Sequence, residues 1–362
     1  MIRRRVVPLL VFLTLAALCC SHRPPAGNDG DLAKRIGEAV AATIGQGAFS
    51  GSVLVTHGRD GVLFSQGYGL ADRSLQRANR TDTCYDIASL GKMFTAVAIA
   101  QLAEQNRLRF DVAVGPYLPQ TLAGSEIGRK VTIAQILTHT SGIPDLPDAL
   151  FNAPPETLQG YIPYFSAAKL EFEPGAQRAY SNAGFVLLGM IVESLSGQRY
   201  EDYVQRNVFQ RAGMQRAGFQ RSDCSGETAI GYTRSSAGEW QANSATVAPK
   251  GGPHGGAFVA ATELVKFFHA LRTGKLVGPE MGRVVTTPQP GSASAYGFGV
   301  LDFATDRLVG HSGGNEGVSA DAYTYWQSGY TIVVLSNLGP PASHDVARAI
   351  RRVIEPQFEA KK

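Results

Sequence analysis

Between Met93 and Leu102 the chain is apolar almost all round, with only Thr95 and Gln101 interrupting. A helix of that composition belongs in the middle of a protein, not on its surface. It is entered through Asp86-Ile87-Ala88-Ser89-Leu90-Gly91-Lys92, where Ser89 and Lys92 stand three apart and so share a helical face. Elsewhere the period changes along the chain. Leu32, Ile36, Val40 and Ile44 recur at helical spacing behind Asp31, which reads as a cap. Gly51 to Thr56 and Val62 to Ser65 flank Arg59-Asp60-Gly61, the pattern of a β-hairpin with an Asp-Gly turn. Helical patterns follow at Thr132 to Leu137, at Asn182 to Gln198 with Gly197 closing it, and at Glu263 to Leu271 with Thr262 as cap. Strand patterns return at Tyr296 to Phe303, Arg307 to Gly310, Val318 to Trp326 and, after the Gln327-Ser328-Gly329 turn, Tyr330 to Asn337. Ser343 opens a last helix with Val346, Ile350 and Val353 on one side.

Helix and hairpin at the start, strands and a helix at the end, and helices between predict an α+β fold. One antiparallel sheet layer, flanked by helices, is built from both termini (31–90 and 290–358), and a mainly helical part (91–289) is inserted between them. A chain of 362 residues allows one large domain or two ordinary ones.

Arg3, Arg4 and Arg5 precede an apolar run from Val6 to Leu18 that is too short to span a bilayer. Residues 1–20 are therefore expected to be an export signal, with 21–30 (Pro24, Pro25, Gly27) a linker and 31–358 the functional domain. The mature protein is expected in the periplasm or secreted. Cleavage near Cys19 or Cys20 would permit a membrane tether through a lipidated cysteine, although neither is preceded by the small residue such sites prefer. Residues 1–20 hold three arginines and no acid, so without them the formal charge of +4 falls to +1 and no nucleic-acid partner is implied. Cys84 and Cys224 remain in the body of the chain. A large domain does not need a covalent staple, and two free thiols are expected. The seven histidines show no zinc-type spacing, and no metal or other cofactor is expected.

Ser89 and Lys92 carry the candidate chemistry. A lysine forced into a buried place loses solvation and its pKa falls toward that of a base. A serine beside a neutral lysine can hand over its proton, and the start of a helix favours developing negative charge. The bland alternative is a helix cap with a surface lysine. Ser-x-x-Lys recurs at Ser166-Ala167-Ala168-Lys169, where a short extended run follows and no apolar helix, so that match is read as chance.

Three motifs in order resolve the choice. Ser89-Leu90-Gly91-Lys92 is followed by Tyr180-Ser181-Asn182, behind Phe172-Glu173-Pro174-Gly175, and then by His311-Ser312-Gly313-Gly314. Leu137-Thr138-His139-Thr140-Ser141-Gly142 and Gly255-Gly256 ahead of the Glu263 helix add to the pattern. Over residues 31–358 the chain resembles the penicillin-recognising serine hydrolases, on the branch of class C β-lactamases, D-alanyl-D-alanine carboxypeptidases, D-aminopeptidases and β-lactamase-like esterases. The resemblance implies a β-lactamase/transpeptidase-like fold. It implies Ser89 as nucleophile of an acyl-enzyme and Lys92 with Tyr180 as proton relay, the phenol's pKa being lowered beside the lysine. The backbone N–H groups of Ser89 and Gly314 would hold the oxyanion. Asn182 would bind a substrate oxygen, unless it only caps its helix. Ser312 and Gly313 would line the strand edge that the substrate approaches. His139 is expected to brace a loop, and His254 has no evident task. Where many relatives have Lys-Thr-Gly this chain has His311, mostly uncharged at neutral pH, so neutral acyl donors are favoured over carboxylates. Small esters, cell-wall D-amino-acid peptides and β-lactams remain the candidate substrates.

Two alternatives make distinct expectations. Gly310-His311-Ser312-Gly313-Gly314 matches the nucleophile elbow of α/β-hydrolases, which needs a helix after the serine; Asn315-Glu316-Gly317 leads instead toward a strand. A non-catalytic penicillin-binding sensor would keep the pocket and lose a reacting group, yet Ser89, Lys92 and Tyr180 are all present.

Overall fold

The computed structural model describes residues 27–46, 48–224, 228–243, 250–289 and 294–358. The signal expected at 1–20, with Cys19 and Cys20, and most of the expected linker lie outside these residues. The linker's end is helix instead. Helix α1 runs over Gly27–Gln46, so Asp31 sits in its second turn and caps nothing.

The hairpin forms where the alternation places it, as β1 (Gly51–His57) and β2 (Gly61–Tyr68). Strand β3 (Cys84–Asp86) leads into a 3-10 turn, Ala88–Gly91, and then into α2 (Lys92–Glu104). Helix α3 (Ile133–Leu137) starts at a Thr132/Gln135 capping box, and α4 (Asn182–Ser196) ends at left-handed Gly197. Strand β4 (Phe258–Ala260) pairs with β3 and feeds α5 (Ala261–Arg272). That helix begins at Ala261, one residue before Thr262, and its cap position is Ala260, with no side-chain cap. Strands β5 (Gly299–Asp302), β6 (Arg307–Asn315), β7 (Val318–Tyr325) and β8 (Tyr330–Ser336) precede α6 (Ala342–Ile354). Ser343 does not open α6. Its hydroxyl donates to Asp321 Oδ2 at 2.6 Å.

The principal sheet is antiparallel, in the order β5-β6-β7-β8-β1-β2. The first and last parts of the chain meet in its middle, from Gly51 opposite Ser336 to His57 opposite Tyr330. Side chains alternate along these strands. Val53, Val55, Ile332 and Val334 pack with Ile36 and Val40 of α1 and Ile350 of α6. Leu54, Val333 and Leu335 join the other core, with Phe94 and Val97 of α2. Helix α5 also packs on this second face, against β1 and β8. Everything from Lys92 to Leu102 is buried, as expected of a helix that is apolar almost all round.

Cys84 and Cys224 form a disulfide, with Cα atoms 6.1 Å apart across 140 residues of sequence. The expectation of free thiols is overturned. Strand β3 and the Arg221–Cys224 turn share a small buried cluster with Phe258 and Ala260, a juxtaposition that sequence spacing does not reveal. Among the described residues no helix is long and apolar enough to cross a membrane, and no group of three or more His, Cys, Asp or Glu could hold a metal ion.

Candidate active site

The turn that carries Ser89 is held from three sides. Asp86 Oδ1 accepts from the Ala88 N–H at 2.8 Å, which supports Ala88 in a left-handed conformation (φ 43°). The Gly256 N–H donates to Ala88 O at 3.0 Å. Gly255 (φ 149°) lies so close that a Cβ there would stand 2.6 Å from Ala88 O, so only glycine fits. These contacts place Ser89 half-buried ahead of α2, with Lys92 fully buried one turn on.

Lys92 Nζ lies 3.2 Å from Ser89 Oγ and donates to Asn182 Oδ1 (2.7 Å) and to the carbonyl of His254 (2.5 Å). Burial pulls its pKa down to about 7, against the opposing pull of Asp145. A neutral amine has two N–H donors and one lone pair. The two carbonyl acceptors take the donors, and the lone pair is left for the Ser89 hydroxyl. Asn182's orientation is fixed from behind, because its Nδ2 donates to Asp145 Oδ2 at 3.0 Å. Asn182 is not the cap of α4. That position is Ser181, whose Oγ accepts from the Gly184 N–H at 3.1 Å.

Tyr180 donates its hydroxyl to Ser89 Oγ at 2.9 Å. The residue is 40% exposed, and its ring stacks on His139 at 4.3 Å. Contrary to the sequence expectation, its pKa is raised, to about 12: loss of solvation outweighs the hydrogen bond to Ser89, and Asp145 raises it further. The phenol is therefore an acid that keeps its proton. His139, buried at φ 58°, accepts the Ser181 N–H on Nδ1 at 3.2 Å, and burial holds its pKa down to about 2. It braces Tyr180 as a neutral ring.

Strand β6 runs further than the alternation indicated and carries all of His311-Ser312-Gly313-Gly314. Its neighbour β5 stops with Gly299 opposite Gly310, so from His311 onward that edge is open, and the Ser89 turn packs there. A Cβ at Gly313 would stand 2.8 Å from Ser89 N, and one at Gly314 2.4 Å from Pro340 Cγ. The room these glycines leave is taken by the protein itself. His311 has its pKa pushed down to about 4 by burial and by Lys92. Ser312 is exposed, opposite Asp321.

Two cavities reach the Ser89–Tyr180 pair, one lined by each residue. One, of about 60 Å³, is lined by Ser89, Asp86, Phe151, Asn182, His254 and Gly314, among others. The other, of about 250 Å³, is lined by Tyr180, His139, Arg178, His311, Ser312 and Tyr323, among others.

The family profile described as Beta-lactamase matches residues 32–355. The chain belongs to the beta-lactamase family. Penicillin-binding protein 4* of Bacillus subtilis (strain 168) is 30% identical over 326 residues, covering 80% of this chain and 68% of that protein. A penicillin binding protein from Bacillus halodurans superposes with a TM-score of 0.76 at 32% identity, over 88% of this chain and 99% of the other. A D-amino acid amidase from Ochrobactrum anthropi SV3 shares the fold, with a TM-score of 0.73 at 20% identity, over 90% and 99% of the two chains.

This beta-lactamase-family fold closes the α/β-hydrolase alternative. Ser312 lies inside a strand that turns through Glu316-Gly317 into another strand, with no helix after it. Ser166 and Lys169 are both exposed. The family motifs bring Ser89, Lys92, Tyr180 and Asn182 together. They do not point to Asp145, which accepts the Asn182 and Ala183 N–H groups at the head of α4, nor to Arg178, nor to the His254 carbonyl. Arg178's only signal in sequence is its position two residues before Tyr180.

Proposed function

We propose that the protein is an exported serine hydrolase that acts through an acyl-enzyme on Ser89, cleaving esters, D-amino-acid amides or related peptides. The observation that carries this reading is the single network in which Ser89 Oγ meets Lys92 Nζ at 3.2 Å and Tyr180 OH at 2.9 Å. Lys92, poised near pH 7, takes the Ser89 proton as Oγ bonds to the substrate carbonyl carbon. The oxyanion forms between the N–H groups of Ser89 and Gly314. Tyr180 gives its proton to the departing oxygen or nitrogen, and the proton held by Lys92 balances that loss. Water then attacks the ester and frees Ser89.

The carbonyl carbon must sit over Ser89, beside Gly314, so the acyl half occupies the 60 Å³ cavity. The leaving group lies by Tyr180, in the larger one. The amidase relative's name favours amides of D-amino acids. A β-lactamase or D,D-carboxypeptidase activity is the second reading, supported by the relatives named penicillin-binding proteins. Export rests on Arg3–Arg5 and the apolar run after them; cell fractionation that finds an intact signal on cytosolic protein refutes it, and globomycin sensitivity would mark a lipoprotein.

Intact-mass labelling with a fluorophosphonate and with a penicillin, followed by peptide mapping, tests the site. Label on Ser89, loss of p-nitrophenyl butyrate hydrolysis in Ser89→Ala and its retention in Ser312→Ala are expected. An unreactive Ser89 in folded protein defeats the catalytic reading and leaves a binding protein on the same fold.

A further inference from the structure

His254 lies in the loop that braces the nucleophile turn. Its carbonyl accepts from Lys92, and the Gly252 and Gly255 backbones pair across it at 2.7 and 3.1 Å. The preceding carbonyl, of Pro253, accepts the Thr95 hydroxyl at 2.6 Å. The backbone of His254 is thus firmly held, and the residue lines the small cavity together with Ser89, Asn182 and Gly314, with the Phe151 ring set edge-on to the imidazole at 5.6 Å.

The two ring nitrogens differ. Nδ1 is sealed from solvent and has no hydrogen-bond partner among the described residues. It lies beside Gly252, where a Cβ would stand 3.6 Å from it. Nε2 is not sealed off in this way. Burial and the Lys92 charge hold the ring's pKa down to about 3, so it is neutral at working pH and carries one proton. A buried N–H with no acceptor is costlier than a buried lone pair, so the proton belongs on Nε2. The ring then offers one N–H donor to the cavity.

Three of the other polar groups there are committed. Asn182 is held by Lys92 and Asp145, Asp86 accepts the Ala88 N–H, and Lys250 on the rim is paired with Glu201.

We propose that His254 is a specificity-determining residue for the acyl half of the substrate: its Nε2–H donates a hydrogen bond to an acceptor oxygen, such as an amide carbonyl, carried on the acyl group. The preferred acyl donor is then an acylamino or otherwise oxygen-bearing one, and a bare alkyl chain is a poorer substrate. This rests on the acyl-enzyme reading above.

The test uses two p-nitrophenyl esters that differ only on the acyl side, N-acetylglycyl and its alkyl counterpart 4-methylpentanoyl. The ratio of their kcat/KM values is compared between wild type, His254→Ala, His254→Leu and His254→Gln, which cancels the esters' different intrinsic reactivities. Losing the donor should cut the ratio about tenfold in the Ala and Leu variants, the scale of one hydrogen bond to a neutral acceptor, and Gln should restore part of it. Leu fills the space without a donor and carries the test if the Ala variant does not fold. An unchanged ratio in a folded Ala or Leu variant, with Ser89→Ala inactive on both esters, overturns this inference alone. A Ser89→Ala variant that still turns over either ester overturns the acyl-enzyme reading, and this inference with it.

Discussion

The two cavities beside Ser89 are built on opposite electrostatic plans. In the smaller, Asp86, Asn182 and Lys250 each have a partner, and Phe151 supplies an apolar wall. The larger is lined by Arg178 and, among the described residues, by no carboxylate. Arg178 is exposed, and its charge lowers the pKa values of His139, Tyr180 and His311. The lesson concerns charge placement. The chain has His311 where many relatives have lysine, and that histidine is more firmly neutral than its free form. A cation nevertheless stands in the same cavity, contributed by the segment before Tyr180. Under the proposed mechanism, discrimination for a carboxylate on the leaving group would then depend on Arg178 as well as on the strand motif.

The largest effects should come from the two groups bonded to Ser89, which lies between these contrasting surroundings. Lys92→Ala and Tyr180→Phe should each slow acylation by ~10²–10⁴-fold, measured by single-turnover ester cleavage. If Lys92 is the base proposed above, with its pKa lowered to about 7, kcat/KM should climb with pH below that value and level off above it. No limb from Tyr180 is expected between pH 7 and 10, because its pKa is raised to about 12. A near-normal rate in Tyr180→Phe would remove it from the relay.

Next comes the smaller cavity's frame. The Cys84–Cys224 bond ties down the strand that carries Asp86 and leads to Ser89. Reducing it, or making Cys84→Ser, should cost on the order of 2–4 kcal/mol by denaturant unfolding, the usual range for a native disulfide. Unchanged stability would show that the packing of Phe258 and Ala260 suffices.

Smaller still are the charge changes in the larger cavity. His311→Lys should shift relative kcat/KM toward a carboxylate-bearing leaving group by ~1 kcal/mol, read from acetyl esters of 3-hydroxybenzoate and phenol. Arg178→Ala should move the same ratio the other way, by about two- to fivefold, as its exposure limits the pull, and added salt should erase the difference. If Arg178→Ala leaves the ratio untouched at low salt, the cation does not reach the leaving group.

Much of this was legible in the sequence because it is local. The all-apolar run at 93–102 could only be a central helix. The alternation around Asp60-Gly61 gave the hairpin, and Gly197 marked a helix end. Three short motifs in order singled out Ser89, Lys92 and Tyr180, which the fold brings together. What sequence did not carry are contacts whose partners lie far apart in the chain. The disulfide joins residues 140 positions apart, Asp145 turns Asn182 from a helix cap into a spacer for Lys92, and the His254 carbonyl completes the lysine's surroundings. Nor can a pKa be read from a motif. Beside a lysine a phenol is expected to acidify, but here the lysine is itself neutralised by burial, and loss of water decides the sign for Tyr180. Sequence by itself determined which residue types the chemistry has to hand and which helix carries them. Tertiary structure decided their protonation states and hydrogen-bond partners, because solvation and long-range contact are properties of the folded volume, not of neighbours along the chain.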